Sequence, residues 1–201
     1  EPIDSVRFIA NRSSGKQGHA IAAALAARGA KVTLVSGPVS LPHPPHVTHV
    51  AVESAREMMD ACMAALPADI AICAAAVADW HVAGDTSGKL KKDHAGPPRI
   101  ELVENPDILA SLSAHKKRPQ LVIGFAAESE NLQANAAAKR ARKGCDWILA
   151  NAVTRADGSS VFDSDSNGAL LLAGNSCEDW PQMPKTALAE RLADRIEAHF
   201  A

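Results

Sequence analysis

Short apolar runs alternate with helical patterns over most of this chain, and that alternation limits the folds it can adopt. The apolar runs lie at residues 31–35, 47–52, 70–78, 99–103, 121–125 and 147–150. Short apolar runs between helices are typical of buried parallel strands. The sequence therefore predicts an α/β fold with a Rossmann-like, doubly wound and mostly parallel sheet.

Capping signals mark several of the helices between these strands. Ser54 and Glu57 form a capping-box signature that opens a helix. Asn105 is the expected N-cap of a later helix, with Pro106 as its first residue. An alanine-rich helix is expected at residues 18–28. These signals indicate that polar residues between the strands, such as Ser54 and Asn105, lie at the starts of helices.

The C-terminal part follows a different pattern. Residues 162–168 are rich in turn formers, and residues 169–172 are strand-like, as one half of a hairpin. Thr186 is the expected cap of a last amphipathic helix. Because no repeat or linker divides the sequence, we expect one domain over residues 1–201. It would end in a small hairpin extension and a terminal helix.

Charge and cysteine content narrow the classes of function. The 201 residues carry a net charge of −2, which gives no electrostatic support for binding nucleic acid. No apolar stretch approaches the length of a membrane span, so we expect no membrane partner. The four cysteines form no Cys-x-x-Cys pair, which predicts reduced thiols and a cytoplasmic protein. The chain begins at Glu1 without a Met, and we expect a fragment or a processed form of a longer protein.

A glycine-containing turn at residues 11–18 runs directly into the first helix. Its backbone N–H groups and the helix N-terminus favour a negatively charged ligand, so a phosphate-bearing molecule is the first hypothesis. The alternative is that Gly15 and Gly18 only permit a tight turn and close helix packing. The turn alone does not separate these two interpretations.

The same turn is close to a dinucleotide-binding fingerprint. Ser13 stands where the fingerprint has its first Gly, and no acidic residue follows Val35 to bind a ribose hydroxyl. A Walker-type loop is excluded, because Gln17 follows Lys16. An NAD(P)-dependent oxidoreductase and a nucleotide-binding regulatory module therefore stay as alternative functions.

Further charged candidates follow the predicted strands. Asp79 comes at the carboxyl end of the run at residues 70–78, where ligands bind in open parallel sheets. The lysines at residues 89–92 could neutralise phosphates, although a charge run is more often a solvated face. Lys139 and Lys143 lie on one face of a predicted helix. With two helix N-termini, these groups suit a nucleoside triphosphate bound with Mg²⁺.

Three histidines, His43, His46 and His49, raise the question of a metal site. Carboxylates and thiols in a tight pattern are missing beside them in the sequence, so solvated loop histidines are the favoured interpretation. No residue is assigned as a metal ligand.

Eight stretches of the sequence form a set of motifs. As a set they are much more specific for a protein family than any one stretch is alone. They include Asn11-x-Ser13-Ser14-Gly15-Lys16-x-Gly18 and lie at residues 1–18, 32–38, 75–80, 89–92, 105–108, 124–128, 139–143 and 162–167. In this order they resemble phosphopantothenoylcysteine synthetase, the synthetase half of the bacterial bifunctional coenzyme A biosynthesis protein. The resemblance covers nearly the whole chain. It implies one nucleotide-binding ligase domain, with the family's glycine-rich first strand and its decarboxylase half missing from this sequence.

The resemblance also implies a two-step reaction. The carboxylate of 4′-phosphopantothenate attacks the α-phosphate of CTP, which gives an acyl cytidylate and pyrophosphate. The amine of L-cysteine then attacks this mixed anhydride and releases CMP. Mg²⁺ or Mn²⁺ as cofactor, a homodimer, and natural fusion to a flavin-dependent decarboxylase domain are further expectations from the family.

Individual residues acquire expected roles from the same resemblance. Lys89 matches the lysine of the activation step, and Asn11 matches the asparagine that holds the acyl-nucleotide intermediate. The positions expected to bind nucleotide or substrate are Ser13, Gly15, Ala75, Asp79, Lys89, Asn105, Pro106, Asp107, Ile108, Phe125, Lys139 and Lys143.

Overall fold

The structure is a computed structural model that describes residues 1–84, 87–91, 99–128, 130–152 and 165–201. The described helices are α1 Lys16–Ala27, α2 Ala55–Ala64, α3 Ile108–Ala114, α4 Leu132–Lys143 and α5 Lys185–Phe200. The described strands are β1 Val32–Ser36, β2 Val47–Ala51, β3 Ile70–Cys73, β4 Trp80–Val82, β5 Leu102–Glu104, β6 Leu121–Glu128, β7 Trp147–Ala152, β8 Ser166–Ala173 and β9 Ser176–Pro184.

A five-stranded sheet in the order β3-β6-β7-β8-β9 forms the centre of the molecule. β3, β6 and β7 run parallel, whereas β8 and β9 add antiparallel neighbours. β1 and β2 form a separate parallel pair, and β4 and β5 form an antiparallel one. The expectation of an α/β fold with a mostly parallel sheet and a C-terminal hairpin is confirmed. The carboxyl ends of the three parallel strands therefore meet at one edge.

Helices cover both faces of the sheet because successive strand residues point to opposite sides. Ile123 of β6 packs in one cluster with α1 and α5, whereas Val122 packs with Leu109 of α3. α4 covers the same face as α3 through Ala136, which packs with Ile148 of β7. Within the described residues, no helix combines the length and the apolar character that crossing a bilayer requires.

The end of β3 differs from the sequence expectation. A strand was expected through residue 78, but β3 ends at Cys73. The next residues leave the sheet, and side chains from elsewhere bind the carbonyls of Val77 and Ala78. The strand expected at residues 99–103 is wrong in its bounds, because β5 begins at Leu102 and pairs with β4.

Two predicted helix caps are also wrong, whereas the capping box at Ser54 is confirmed. Asp107, not Asn105, caps α3, and its Oδ1 accepts the Ala110 N–H at 3.0 Å. The side-chain amide of Asn105 instead donates to the Ala78 carbonyl. Thr186 does not cap α5: the first N–H of that helix, on Lys185, donates to the Asp165 carbonyl at 2.9 Å.

An ion pair anchors α3 to the start of β6 and β7. Arg118 Nη2 donates to both carboxylate oxygens of Asp146 at 2.8 Å. Asp146 Oδ2 also accepts the N–H of buried Val122 at 2.7 Å. Arg118 Nε donates to the Ser113 carbonyl at 2.9 Å. The pair thus satisfies backbone groups on two elements at the amino edge of the sheet.

Asp146→Ala is expected to lower the free energy of unfolding by about 2 kcal/mol, because it leaves the buried Val122 N–H without its acceptor. Chemical denaturation at fixed protein concentration measures this loss. Glu190→Ala is the matched control, since its partner Arg28 keeps two further carboxylates at the surface. That control is expected to cost less than about 0.5 kcal/mol. Equal losses would contradict the anchoring role of Asp146.

Candidate functional site

Two asparagines hold the segment that follows β3. Asn11 Nδ2 donates to the Val77 carbonyl at 2.9 Å, and Asn105 Nδ2 donates to the Ala78 carbonyl at 2.9 Å. The Asn105 N–H donates to the Asp79 carbonyl at 2.8 Å. Three predicted site residues, Asn11, Asp79 and Asn105, therefore come together in the segment that follows the carboxyl end of β3. Open parallel sheets bind ligands beyond this end of their strands.

The turn at residues 105–108 is tied to α4. Ile108 is buried, so it supports the turn from the core side. The carboxylate of Asp107 accepts a hydrogen bond from Lys143 Nζ. Partial burial acts to raise the pKa of Asp107, but the bonds from Lys143 and the Ala110 N–H outweigh it and hold the pKa below its usual value. Lys143 is thereby directed toward the predicted nucleotide-binding turn.

Lys139 lies one helical turn before Lys143 and is half-buried. Burial lowers the pKa of its ammonium group, and the charges of Lys143 and Arg142 lower it further, whereas the nearby Glu128 carboxylate opposes the shift. Glu128 is the last residue of β6. Lys139 thus lies within electrostatic reach of the Glu128 carboxylate and of the other cations of α4, and a nearby anion would favour its charged form.

Phe125 and Ala75 occupy different surroundings. Phe125 packs against the core cluster that contains α1 and α5, on the face of the sheet opposite α4 and Lys139. Ala75 is exposed in the segment after β3. Pro106 is partly buried beside Asn105. The structure therefore brings Ala75 and Pro106 to the asparagine-held segment and its neighbouring turn, but it separates Phe125 from the lysines of α4.

The glycine turn forms one wall of an open cleft. Helix α1 begins two residues earlier than expected, and Gly15 precedes it with φ +73°. Ser13 Oγ accepts the Gly15 N–H at 3.4 Å. The cleft has a volume of about 290 Å³ and is lined by Ser13, Ser14, Lys16, Pro38, Val39, Ser40 and Leu41. Serines, a lysine and the residues at the start of α1 therefore line one space, and a helix N-terminus suits an anion.

Lys16 connects this cleft to the C-terminal hairpin. Its Nζ lies 2.6 Å from Oδ1 of Asp165, directly before β8. The hydrogen bond from Lys16 holds the pKa of Asp165 below its usual value. The motif position Phe162 lies outside the described residues. The described part of that motif is thus placed beside the glycine turn.

Lys89 is exposed and lies in the 87–91 segment, which belongs to no described helix or strand. Its neighbour Leu90 is bound through its peptide groups by Asp4 and Arg7. The sequence analysis assigned neither residue a role, although both lie in the stretch at residues 1–18 that contributes to the family resemblance. The signal that could have revealed them is an acid three residues before an arginine, next to the glycine turn. Lys92 lies outside the described residues.

The histidines pack as aromatic rings. His43 and His49 stack with ring centroids 3.9 Å apart. Burial lowers the pKa of His49, and the charges of His43 and His19 act in the same direction. Over the described ranges, no group of three or more His, Cys, Asp or Glu side chains is arranged to hold a metal ion.

Comparison with known proteins identifies relatives along the whole chain. Residues 1–200 match the family described as the DNA/pantothenate metabolism flavoprotein C-terminal domain. An alignment of 213 residues, covering 100% of this chain, is 44% identical to the coenzyme A biosynthesis bifunctional protein CoaBC of Mycobacterium bovis. The chain spans 50% of the length of that relative.

Solved structures share the fold. The crystal structure of the C-terminal domain of the coenzyme A biosynthesis bifunctional protein CoaBC has a TM-score of 0.80 and 36% identity, over 100% of this chain and 90% of that one. A mutant of Cab2 in complex with phosphopantothenate-cysteine has a TM-score of 0.73 and 14% identity, over 98% of this chain and 84% of that one. At that identity, the second structure shows the likeness of fold alone.

Gly15→Ala is expected to lower the free energy of unfolding by about 1–2 kcal/mol, because a side chain at positive φ is strained. Its Cβ would also lie 2.9 Å from Val39 Cγ1, in the cleft wall. Gly18→Ala is the control: nothing lies within 4 Å of its added Cβ, and in α1 it should stabilise by up to about 1 kcal/mol. Denaturation of both variants measures the contrast, and a Gly15→Ala variant as stable as the unchanged protein would contradict it.

Proposed function

The chain belongs to the DNA/pantothenate metabolism flavoprotein C-terminal domain family, and from that membership we propose that it is a CTP-dependent phosphopantothenate–cysteine ligase of coenzyme A biosynthesis. The observation that carries the proposal is the meeting of Asn11, Asp79 and Asn105 at the carboxyl end of β3. The similarity to CoaBC supports it. So does the complex of Cab2, a protein of the same fold, with phosphopantothenate-cysteine.

The first step activates a carboxylate. An oxygen of the 4′-phosphopantothenate carboxylate forms a bond to the α-phosphorus of CTP, and the bond to the β-phosphate bridging oxygen breaks. Pyrophosphate leaves with that electron pair, and an acyl cytidylate is formed. Activation is needed because a free carboxylate is a poor acylating agent at neutral pH. Cations near the triphosphate offset the charge that develops on the leaving group.

Three lysines are assigned to offset the negative charge of the triphosphate and of the leaving pyrophosphate. Lys143 is directed toward the 105–108 turn by Asp107, and Lys139 lies on the same face of α4. Lys89 comes from the separate 87–91 segment and is assigned to the activation step itself. Burial lowers the pKa of Lys139, and a bound phosphate would act in the opposite direction by favouring its charged form.

The second step forms the amide. The cysteine amine attacks the acyl carbon, CMP leaves with the electrons of the carbon–oxygen bond, and the nitrogen loses a proton. Asn11 is assigned to the acyl oxygen, which gains negative charge in this step. One N–H of its amide binds Val77. An amide NH₂ has two N–H bonds, so the second can donate to that oxygen while the first fixes its direction.

The cleft beside α1 is assigned to the phosphate of 4′-phosphopantothenate. Its lining includes Ser13, Ser14 and Lys16 at a helix N-terminus, with Gly15 shaping the turn. The α4 lysines serve the triphosphate at the sheet edge, so a second anion requires a second set of donors. The cleft beside α1 supplies such donors among the described residues.

The cofactor of the proposal is Mg²⁺ or Mn²⁺, which supplies charge neutralisation on the triphosphate when bound. The carboxylates at the sheet edge fit such an ion as single ligands. Asp79 is exposed after β3, and Glu128 lies at the end of β6 beside Lys139. Isolated carboxylates suit a hydrated ion whose other ligands are phosphate oxygens.

A homodimer is part of the proposal. Among the described residues, seven of the eight exposed large apolar side chains lie in the first ten residues, in or next to β4 and β5, or at Leu90. Phe8 and Trp80 are 72% and 55% exposed. Exposed apolar groups concentrated in this way favour association. A cytoplasmic location and fusion to a flavin-dependent decarboxylase, as the bifunctional name of the relatives suggests, complete the proposal.

The oxidoreductase alternative is not favoured. Ser36 ends β1, where a dinucleotide-binding protein of this type has its ribose-binding acid. Its side chain is buried, and its hydroxyl donates to the Gly37 carbonyl at 3.0 Å. The position therefore serves the local backbone and offers no carboxylate to a ribose.

The assay that tests the ligase function measures pyrophosphate from CTP, Mg²⁺ and phosphopantothenate, with and without cysteine. Lys89→Gln is expected to abolish release, because the activation step loses its lysine. Asn11→Asp is expected to keep release but lose at least about tenfold in amide formation, as for removal of one oxyanion donor. Lys116→Gln, an exposed lysine after α3, is the control and should match the unchanged protein. Absence of phosphopantothenate-dependent release by the unchanged protein would refute the function, and equal loss of both steps in Asn11→Asp would refute its role.

Trp80→Ser is expected to shift the protein from dimer to monomer in sedimentation at micromolar concentration, because it removes a large apolar contact of the proposed interface. Phe200→Ser is the matched control: Phe200 is 44% exposed, but it lies at the end of α5. The control should remain dimeric. A monomeric unchanged protein, or equal dissociation of both variants, would contradict this assignment of the interface.

A further inference from the structure

Asp4 is a buried carboxylate in the first ten residues, and it accepts five hydrogen bonds. Oδ1 accepts the N–H groups of Val6 at 2.9 Å and Arg7 at 2.8 Å. Oδ2 accepts Arg7 Nε at 3.0 Å, Arg7 Nη2 at 2.5 Å and the Leu90 N–H at 3.1 Å. The bond from the Arg7 side chain holds the pKa of Asp4 well below its usual range, so the carboxylate stays ionised at neutral pH.

The contact to Leu90 joins parts of the chain that lie far apart in sequence. Leu90 donates its N–H to Asp4, and its carbonyl accepts Arg7 Nη2 at 3.1 Å. Both backbone polar groups of one residue are thus bound by one ion pair. Leu90 is 40% exposed and belongs to none of the core clusters among the described residues. The hydrogen bond that Asp4 accepts and the one that Arg7 donates therefore fix the backbone directly beside Lys89.

A lysine that acts on a phosphate needs a well-ordered backbone. Its side chain has four carbons and many rotamers, so its charged end is directed only as well as its backbone is held. Lys89 is exposed, and the segment at residues 87–91 belongs to no helix or strand. Arg7 also lies four residues before Asn11 in the same stretch. The stretch at residues 4–11 therefore carries Asn11 and also binds the backbone next to Lys89.

We propose that Asp4 and Arg7 are positioning residues that orient Lys89 for the activation step by binding both peptide groups of Leu90. The inference rests on the proposed ligase function. It assigns no contact between Asp4 and substrate. Its consequence is local: loss of the Asp4 carboxylate frees the Leu90 backbone without unfolding the sheet, because Asp4 lies outside the core clusters.

The test is Asp4→Asn, with amide hydrogen exchange at Leu90 and the kinetics of pyrophosphate release measured on the same preparation. Exchange at Leu90 should accelerate at least about tenfold, as expected when an amide loses its acceptor, while exchange in β6 stays unchanged. The kcat of release should fall at least about tenfold, with the KM for CTP within about threefold, because binding by Lys139 and Lys143 is retained. Asp60→Asn, an exposed acid of α2, is the matched control and should change neither quantity.

Arg7→Lys provides a second variant if Asp4→Asn fails to fold. It keeps the positive charge beside Asp4 but loses the planar fork that reaches both Asp4 and the Leu90 carbonyl. It should show the same two changes in weaker form. Unchanged release in an active protein whose Leu90 amide has lost protection would overturn the positioning role alone. No release by the unchanged protein would overturn the ligase function as well, so the two failures are distinguishable.

Discussion

Backbone carbonyls that leave a sheet must find donors, and here two asparagines supply them at the end of β3. Asn11 and Asn105 come from opposite sides in sequence and bind adjacent carbonyls, those of Val77 and Ala78. The segment that carries Asp79 is therefore held by two side chains and, at Asp79 itself, by the Asn105 N–H next to the β4–β5 pair. The N-terminal turn and the turn before α3 meet at this point. Without these bonds, the two turns would lack a common attachment at the sheet edge.

Positive charge is arranged around that attachment on separate elements. Asp107 both caps α3 and binds Lys143, so one carboxylate starts a helix and directs a cation. Lys139 reaches the same edge in a partly dehydrated setting. Lys16 lies at the other cleft, paired with Asp165. Two proposed anion-binding regions, one at the edge of the five-stranded sheet and one beside α1, suit the proposed reaction between two phosphate-bearing substrates.

The first ten residues serve more than one purpose. Asp4 faces inward to the Leu90 backbone, whereas Val6 and Phe8 are 60% and 72% exposed. One stretch thus offers a buried polar anchor and an apolar outer surface. The proposed dimer would cover the outer surface, and the ion pair with Arg7 would then lie next to an interface. In the proposed dimer, assembly and the placement of Lys89 would be linked through this segment.

The sequence by itself determined the fold class, because apolar runs bounded by helix caps leave few arrangements other than a mostly parallel sheet. The Ser54 capping box and the C-terminal hairpin could also be predicted from the sequence, since both depend on residues close together in the chain. The early end of β3, the cap at Asp107 and the hold of Asp4 on Leu90 were decided only by tertiary structure. At the end of β3 and at Leu90, side chains satisfy backbone groups many residues away. Asn105, whose amide binds the distant Ala78 carbonyl, leaves the cap of α3 to Asp107. Local pattern carries no information on which distant carbonyl or N–H such a side chain will bind.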